Sequence, residues 1–153
     1  LITFILMWVG ASPGSTGGGI KTTTFAIAIL NFMSLARGKD RVEIFRREIS
    51  PISVRRAFAS ISLSFIVLGL SVFFLALCES DMDLMKLAFE SVSAFGTVGL
   101  SLGVTSSLSS AGKIVIILTM FIGRVSMLTI LVAFMRRIVN LKYKFPTEDV
   151  LIN

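Results

Sequence analysis

The sequence contains no histidine and a single cysteine, Cys78. Imidazole catalysis, histidine metal ligation, an intramolecular disulfide and a CxxC metal site are therefore excluded. Cys78 reads as an ordinary residue at the end of an apolar segment. Charge is scarce as well: 16% of residues are charged, against about 25% in soluble domains. Acids are the rarer sign, 9 against 15 Lys and Arg, for a net charge of +6. What fills the chain instead is apolar: 54% of its 153 residues are hydrophobic and the mean hydropathy is +0.89. A soluble chain of this size has too little interior to hide that much apolar surface, whereas a bilayer makes lipid the solvent. A membrane enzyme is disfavoured by the missing histidine, metal cluster and nucleophile–base pair.

The few charges are clustered. Arg37, Lys39, Arg41, Arg46, Arg47, Arg55 and Arg56 form one group, and Arg136, Arg137, Lys142 and Lys144 another. Both border apolar segments and are expected on the cytoplasmic side. The stretch Glu79–Asp83 has acids and no base, which suits the outer side. Because the bases sit at the ends of apolar runs and not on a polar face, no nucleic-acid partner is expected. Leu1–Phe4 already belong to an apolar run, without an initiator Met or a basic leader. No signal peptide is expected, and the sequence is expected to be a piece whose N-terminal part is missing.

Residues 1–9 and 22–36 are uncharged and apolar but individually too short for a span of about 20 residues. Between them lies GASPGSTGGG, residues 10–19. Together, residues 1–36 are expected to form one membrane helix broken by an irregular centre, tolerated at that depth only where it is buried in protein or lines a cavity. Residues 37–56 read as a basic cytoplasmic linker with a short surface helix around Arg41–Glu48. Residues 57–78 carry no charge and, at about 1.5 Å per residue, reach about 33 Å, a full span. Residues 84–95 predict a helix of about 18 Å, half a span, capped by Asp81 or Asp83. GTVGLSLG, residues 96–103, follows it directly. Residues 113–139 predict the last span, and 140–153 a polar cytoplasmic tail in which Pro146 opposes a continuing helix. The expected fold is an all-α integral membrane unit over residues 57–139: a first span (M1), a re-entrant pore helix and loop (P), and a second span (M2), preceded by the broken helix.

Three groups of residues carry candidate chemistry. Thr97, Val98, Gly99, Leu100 and Ser101 follow a half-length helix whose C-terminal end, partially negative, favours a cation. In potassium channels, carbonyls of a TVGYG loop replace the hydration shell. Gly99 accepts a positive φ that turns carbonyls toward an axis. A K⁺ ion at Thr97, Val98 and Gly99 is the expected bound species. The second group is Gly14, Ser15, Thr16, Gly17, Gly18 and Gly19, with Lys21 facing an aqueous cavity. A phosphate-binding loop is excluded because Ile20 occupies the lysine position and Lys21 comes one residue late. The preferred reading is a loop inside the pore, below the filter, that obstructs or gates conduction; a flexible helix–helix linker is the alternative. The third is Arg124, whose burial at mid-span costs at least about 2.5–3.5 kcal/mol. It is expected to face the interior, toward carbonyls of the glycine-rich loop. Glu90 is expected to bond filter backbone or a neighbouring helix and not to ligate the ion.

GASPGSTGGGIKTTTFA (residues 10–26) resembles the intramembrane loop of the third repeat in the Trk/Ktr/HKT superfamily. FESVSAFGTVGLS (89–101) resembles its fourth pore helix and filter, and IGRVSMLTILVAF (122–134) its fourth M2 helix. TTTF points to the Ktr branch. The resemblance implies a TrkH/KtrB-like pore subunit with four M1–P–M2 repeats around one pore, a multi-pass protein of the cytoplasmic (plasma) membrane, called the inner membrane in some bacteria. Gly99 would be the filter glycine of the fourth repeat, residues 11–19 the gating loop, and Arg124 the arginine that holds it shut. It further implies a transported K⁺ or Na⁺ ion, no covalently bound cofactor, contact with membrane lipid, a homodimer, and a cytoplasmic nucleotide-binding regulatory subunit. Where many relatives have Gly-Pro, this chain has Ser126-Met127. A two-span tetrameric potassium channel is the alternative architecture.

Overall fold

The computed structural model describes residues 2–39, 41–44 and 47–125. The second half of the expected last span, the Ser126-Met127 pair and the 140–153 tail lie outside the described residues. Among the described residues, five helices and one short β-ribbon follow in order: α1 Ile2–Trp8, α2 Thr22–Ala36, β1 Glu43–Ile44, β2 Arg47–Glu48, α3 Pro51–Cys78, α4 Leu84–Gly96 and α5 Ser110–Arg124.

Among the described residues, α3 alone is long and apolar enough to cross a membrane, with a mean hydropathy of 2.6 over its best 18 residues. It begins at Pro51, six residues before the expected Ala57. Proline at the first helical position has no N–H to leave unsatisfied and a φ already suited to a helix. Its 28 residues reach about 42 Å, so the first turns carry Arg55 and Arg56 beyond the apolar part. Ala57, Ser64, Leu68, Ser71 and Leu75 form its buried stripe, while Phe65, Phe73, Phe74 and Leu77 point outward. Small polar residues on the buried stripe allow close helix approach, as membrane interfaces require. Ser71 meets Thr119 of α5 at 2.8 Å and Ser91 of α4 at 3.3 Å, so one buried hydroxyl cluster joins the three helices.

The core lies where α3, α4 and α5 meet. Leu75, Leu87, Ala94, Leu108 and Ile116 form one cluster, and Leu68 with Phe95 another. Phe95 and Leu75 are completely buried. α1 packs on α4, with Phe4 edge-on to Phe89. Trp8 donates its indole N–H to Ser64 Oγ at 3.2 Å, tying the end of α1 to α3.

The basic segment departs from the expected surface helix. β1 and β2 pair antiparallel, Glu43 opposite Glu48 and Ile44 opposite Arg47, and the Ile49 amide continues the pairing to the Val42 carbonyl. Val42, Ile44 and Ile49 are β-branched, and such residues favour strands. Arg41 and Glu48 approach to 3.7 Å, an exposed ion pair that contributes about 0–1 kcal/mol.

At the opposite end of α3, Asp83 and not Asp81 caps α4, and Ser109 caps α5. Glu79 Oε1 accepts the Ser109 amide at 2.6 Å and lies where a side chain on Gly112 would meet it at 2.7 Å. Hydrogen bonding from the Ser109 side chain first, then from its backbone, holds the Glu79 carboxyl below its ordinary 4.5, with Lys113 aiding and burial opposing. A depressed folded-state pKa means that the unfolded chain binds the proton more readily. The stabilisation is therefore complete above 4.5 and lost as pH falls through the lower folded value. The hydrogen-exchange protection factors of the first amides of α5, referred to the intrinsic rate at each pH, should fall as pH drops below 4.5, and Glu79→Gln should flatten that dependence. An unchanged acid response in the variant would remove the assignment.

Candidate functional site: a glycine-rich loop against the end of a half-length helix

The loop between α1 and α2 leaves and re-enters at one place. The Gly10 amide donates to the Ile20 carbonyl at 2.7 Å and the Ile20 amide to the Trp8 carbonyl at 3.2 Å. Its tip is a tight turn in which the Ser15 amide reaches the Ser12 carbonyl at 3.0 Å. Pro13 and Gly14, with φ +89° at Gly14, follow the type II pattern. Among the described residues a side chain on Gly14 would meet nothing within 4 Å, so the turn is what calls for that glycine.

The inner limb of the loop is packed backbone to backbone. A side chain on Gly10 would overlap the Gly18 carbonyl, and one on Gly18 would stand 2.8 Å from the Phe95 carbonyl. The Gly18 amide donates to Thr97 Oγ1 at 2.8 Å, and the Gly19 amide to the Gly123 carbonyl at 3.2 Å. Gly17, Gly18 and Gly19 are thus brought to the ends of α4 and α5.

α4 has 13 residues, about 20 Å. It ends in a Schellman arrangement: the Val98 amide bonds the Ser93 carbonyl at 3.0 Å and the Thr97 amide the Ala94 carbonyl at 3.1 Å. Glycine normally occupies the left-handed position of this motif, but here it is Thr97, with φ +52°. For a β-branched residue that conformation is strained, at roughly 1–2 kcal/mol. Thr97 supplies what glycine lacks there, a hydroxyl that accepts the Gly18 amide. Gly99 also has a positive φ, +83°, whereas Val98 between them does not. Backbone handedness alternates along 97–99, and Thr97, Val98, Gly99, Leu100 and Ser101 are all exposed in this chain.

Lys21 and Arg124 line the same cavity of about 290 Å³, together with Ser15, Thr16 and Gly17. The loop's bond to α5 comes from Arg124's neighbour, through the Gly123 carbonyl. Among the described residues no hydrogen bond joins the Arg124 guanidinium to the loop. Among the described residues Glu90 bonds neither the 97–101 backbone nor a neighbouring helix; its Oε1 accepts the hydroxyl of Thr105, in the limb after residue 101. Sequence reasoning missed Gly123 and Thr105. The close approach at Gly123 left a trace only in its residue type, and Thr105 is one hydroxyl among many in Val104–Gly112.

Among the described residues the fold is helical, with one helix long and apolar enough to span a membrane, a half-length helix, and an irregular loop between two short apolar helices. The chain belongs to the TrkH family: the family model, described as cation transport protein, matches residues 1–141. It is 43% identical over 147 residues to Ktr system potassium uptake protein D of Bacillus subtilis, covering 96% of this chain and 32% of that protein. It is 40% identical over 151 residues to Ktr system potassium uptake protein B of Vibrio alginolyticus, covering 99% and 33%. Against potassium/sodium uptake protein NtpJ of Enterococcus hirae the identity is 37% over 160 residues, covering 99% and 35%. The chain spans about a third of the length of these curated relatives.

Proposed function

We propose that this chain supplies the end of the third and the whole fourth M1–P–M2 repeat of a Trk/Ktr-type pore that takes up K⁺, with Na⁺ as the competing ion. In this reading α4 is the pore helix, Thr97–Ser101 the filter quarter, Gly10–Gly19 the gate, and α3 and α5 the flanking spans. The observation that carries it is the bond from the Gly18 amide to Thr97 Oγ1, which joins the glycine-rich loop to the residue where the half-length helix ends. Alternating handedness at Thr97, Val98 and Gly99 supports a backbone whose successive carbonyls would face one side. That arrangement suits a cation shedding its water, as do the partial negative charges at the C-terminal end of α4. A two-span tetrameric channel is less well supported, since it has no role for α1, whose Met7 carbonyl lies where a side chain on Gly96 would be. The uptake proteins named above support potassium as the ion. The full-length protein is proposed to be a multi-pass homodimer in the cytoplasmic membrane, regulated by a cytoplasmic nucleotide-binding subunit that meets the basic linker.

Within this chain a side chain at position 99 meets no atom within 4 Å, so Gly99→Ser acts through its backbone. Left-handed strain of about 1–2 kcal/mol favours a rotated carbonyl. In the full-length protein the preference for K⁺ over Na⁺ should fall, read from competitive uptake. An unchanged ion preference would count against the filter.

A further inference from the structure

Glu90 is a carboxylate in the middle of α4 that is only 6% exposed. Burying such a group is costly unless it is bonded. Its Oε1 accepts the Thr105 hydroxyl, while its Oε2 is buried without a hydrogen-bond partner among the described residues. Thr105 Oγ1 also stands 2.8 Å from Ser101 Oγ, and the Gly103 amide donates to Ser101 Oγ at 3.0 Å. A hydroxyl has one proton. That proton lies within reach of both Glu90 Oε1 and Ser101 Oγ, so Thr105 is the donor shared between the carboxylate and Ser101.

We propose that Glu90 is the positioning residue for the outer end of the filter, acting through Thr105 on Ser101. The chain of bonds reaches the filter stretch at Ser101, two residues past Gly99. It fastens the limb that returns from the filter to the helix that leads into it. Without it, Ser101–Gly103 has only its own turn, with φ +81° at Gly103, to hold its direction. Glu90 does not touch the ion; it sets where the backbone at the filter's exit points. The buried Oε2 explains why glutamine is a poor substitute: an amide can still accept from Thr105, but it then puts two N–H donors where Oε2 has no partner among the described residues.

This inference rests on the filter reading, and the experiment separates the two. Thr105→Val, Thr105→Ser, Glu90→Gln and Gly99→Ser are compared in the full-length transporter, with membrane expression measured for each. Thr105→Val removes the middle hydroxyl at almost unchanged volume and leaves Glu90 in place. It should raise the apparent KM for K⁺ by about tenfold, the low end of the loss expected for a hydrogen bond to a charged group, with a smaller change in maximal rate. Thr105→Ser restores the hydroxyl and should restore KM, and Glu90→Gln should follow Thr105→Val. A merely structural role would lower expression or maximal rate and leave KM unmoved. If Gly99→Ser alters ion preference while Thr105→Val leaves KM as it was, the filter stands and the positioning role is overturned. If neither changes ion preference or KM, both readings are lost.

Discussion

Gly123→Ala in the full-length protein is expected to lower ion uptake by at least about tenfold. A side chain on Gly123 would overlap the Phe95 carbonyl, and the obstacle is backbone, at the buried end of α4. Flexible side chains yield to an added methyl, but a helix terminus held by a Schellman arrangement does not. α4 and α5 must separate, and two consequences follow. The Gly19–Gly123 bond is strained or lost, and Thr97, two residues beyond Phe95, moves with the helix end. Overpacking of this kind destabilises by about 1–3 kcal/mol, so the melting temperature of the purified protein should fall as well. Gly69→Ala is the control. A side chain at Gly69, midway along α3, meets nothing within 4 Å, and a helical alanine is favoured over glycine by about 0.8–1.0 kcal/mol. Uptake at the normal level in Gly123→Ala would show that the approach of α5 to α4 is not needed for conduction.

Removing Gly17–Gly19 is expected to raise ion flux by about thirtyfold where the gate limits it. Two backbone amides in that stretch hold the loop inward, Gly18 to Thr97 and Gly19 to Gly123. At about 1 kcal/mol each they favour the closed arrangement by about 2 kcal/mol, or about thirtyfold in the closed-to-open ratio. The deletion is geometrically permitted because the loop's ends already meet: Gly10 and Ile20 are joined at 2.7 Å. Gly10–Thr16 remain to close a loop whose ends need not move apart. Single-channel or ion-flux recordings on reconstituted full-length protein provide the measurement. Flux at or below the normal level would remove the loop as a gate. A raised flux with lost ion preference would mean that the Gly18–Thr97 bond also holds the filter's inner end.

Much of this architecture could be read from residue types along the chain. The apolar run of α3, the half-length run of α4 and the glycine-rich interruption before α2 are each local facts. The outward Phe and Leu residues of α3 follow from the same composition. The basic segment was read less well. Arg41–Glu48 has charges spaced as on a surface helix, but Val42 is buried and Val42–Ile44 pairs with Arg47–Ile49 as a ribbon, a local choice between strand and helix that charge spacing over eight residues does not determine. The start of α3 at Pro51 was legible in principle, since proline suits a first helical turn, but the charges of Arg55 and Arg56 directed attention to the apolar part alone.

The candidate site divides along the same line. Thr97–Ser101 and Gly14–Gly19 stand out as short segments whose residue types have a local reason. Which of those glycines matters for packing does not: Gly14 serves only its turn, whereas Gly18 lies against the Phe95 carbonyl 77 positions further along. Arg124 drew attention because charge at mid-span is costly, yet its neighbour Gly123 makes the bond to the loop. The sequence alone determined what dissolves in lipid, how far each segment can reach and where the backbone can bend, because these depend on composition read along the chain. Only the tertiary structure decided that Thr97 takes the left-handed position, that Gly123 admits a helix end and that Glu90 reaches Thr105. Those are close contacts between distant segments, and their energies turn on a few tenths of an ångström that no local pattern encodes.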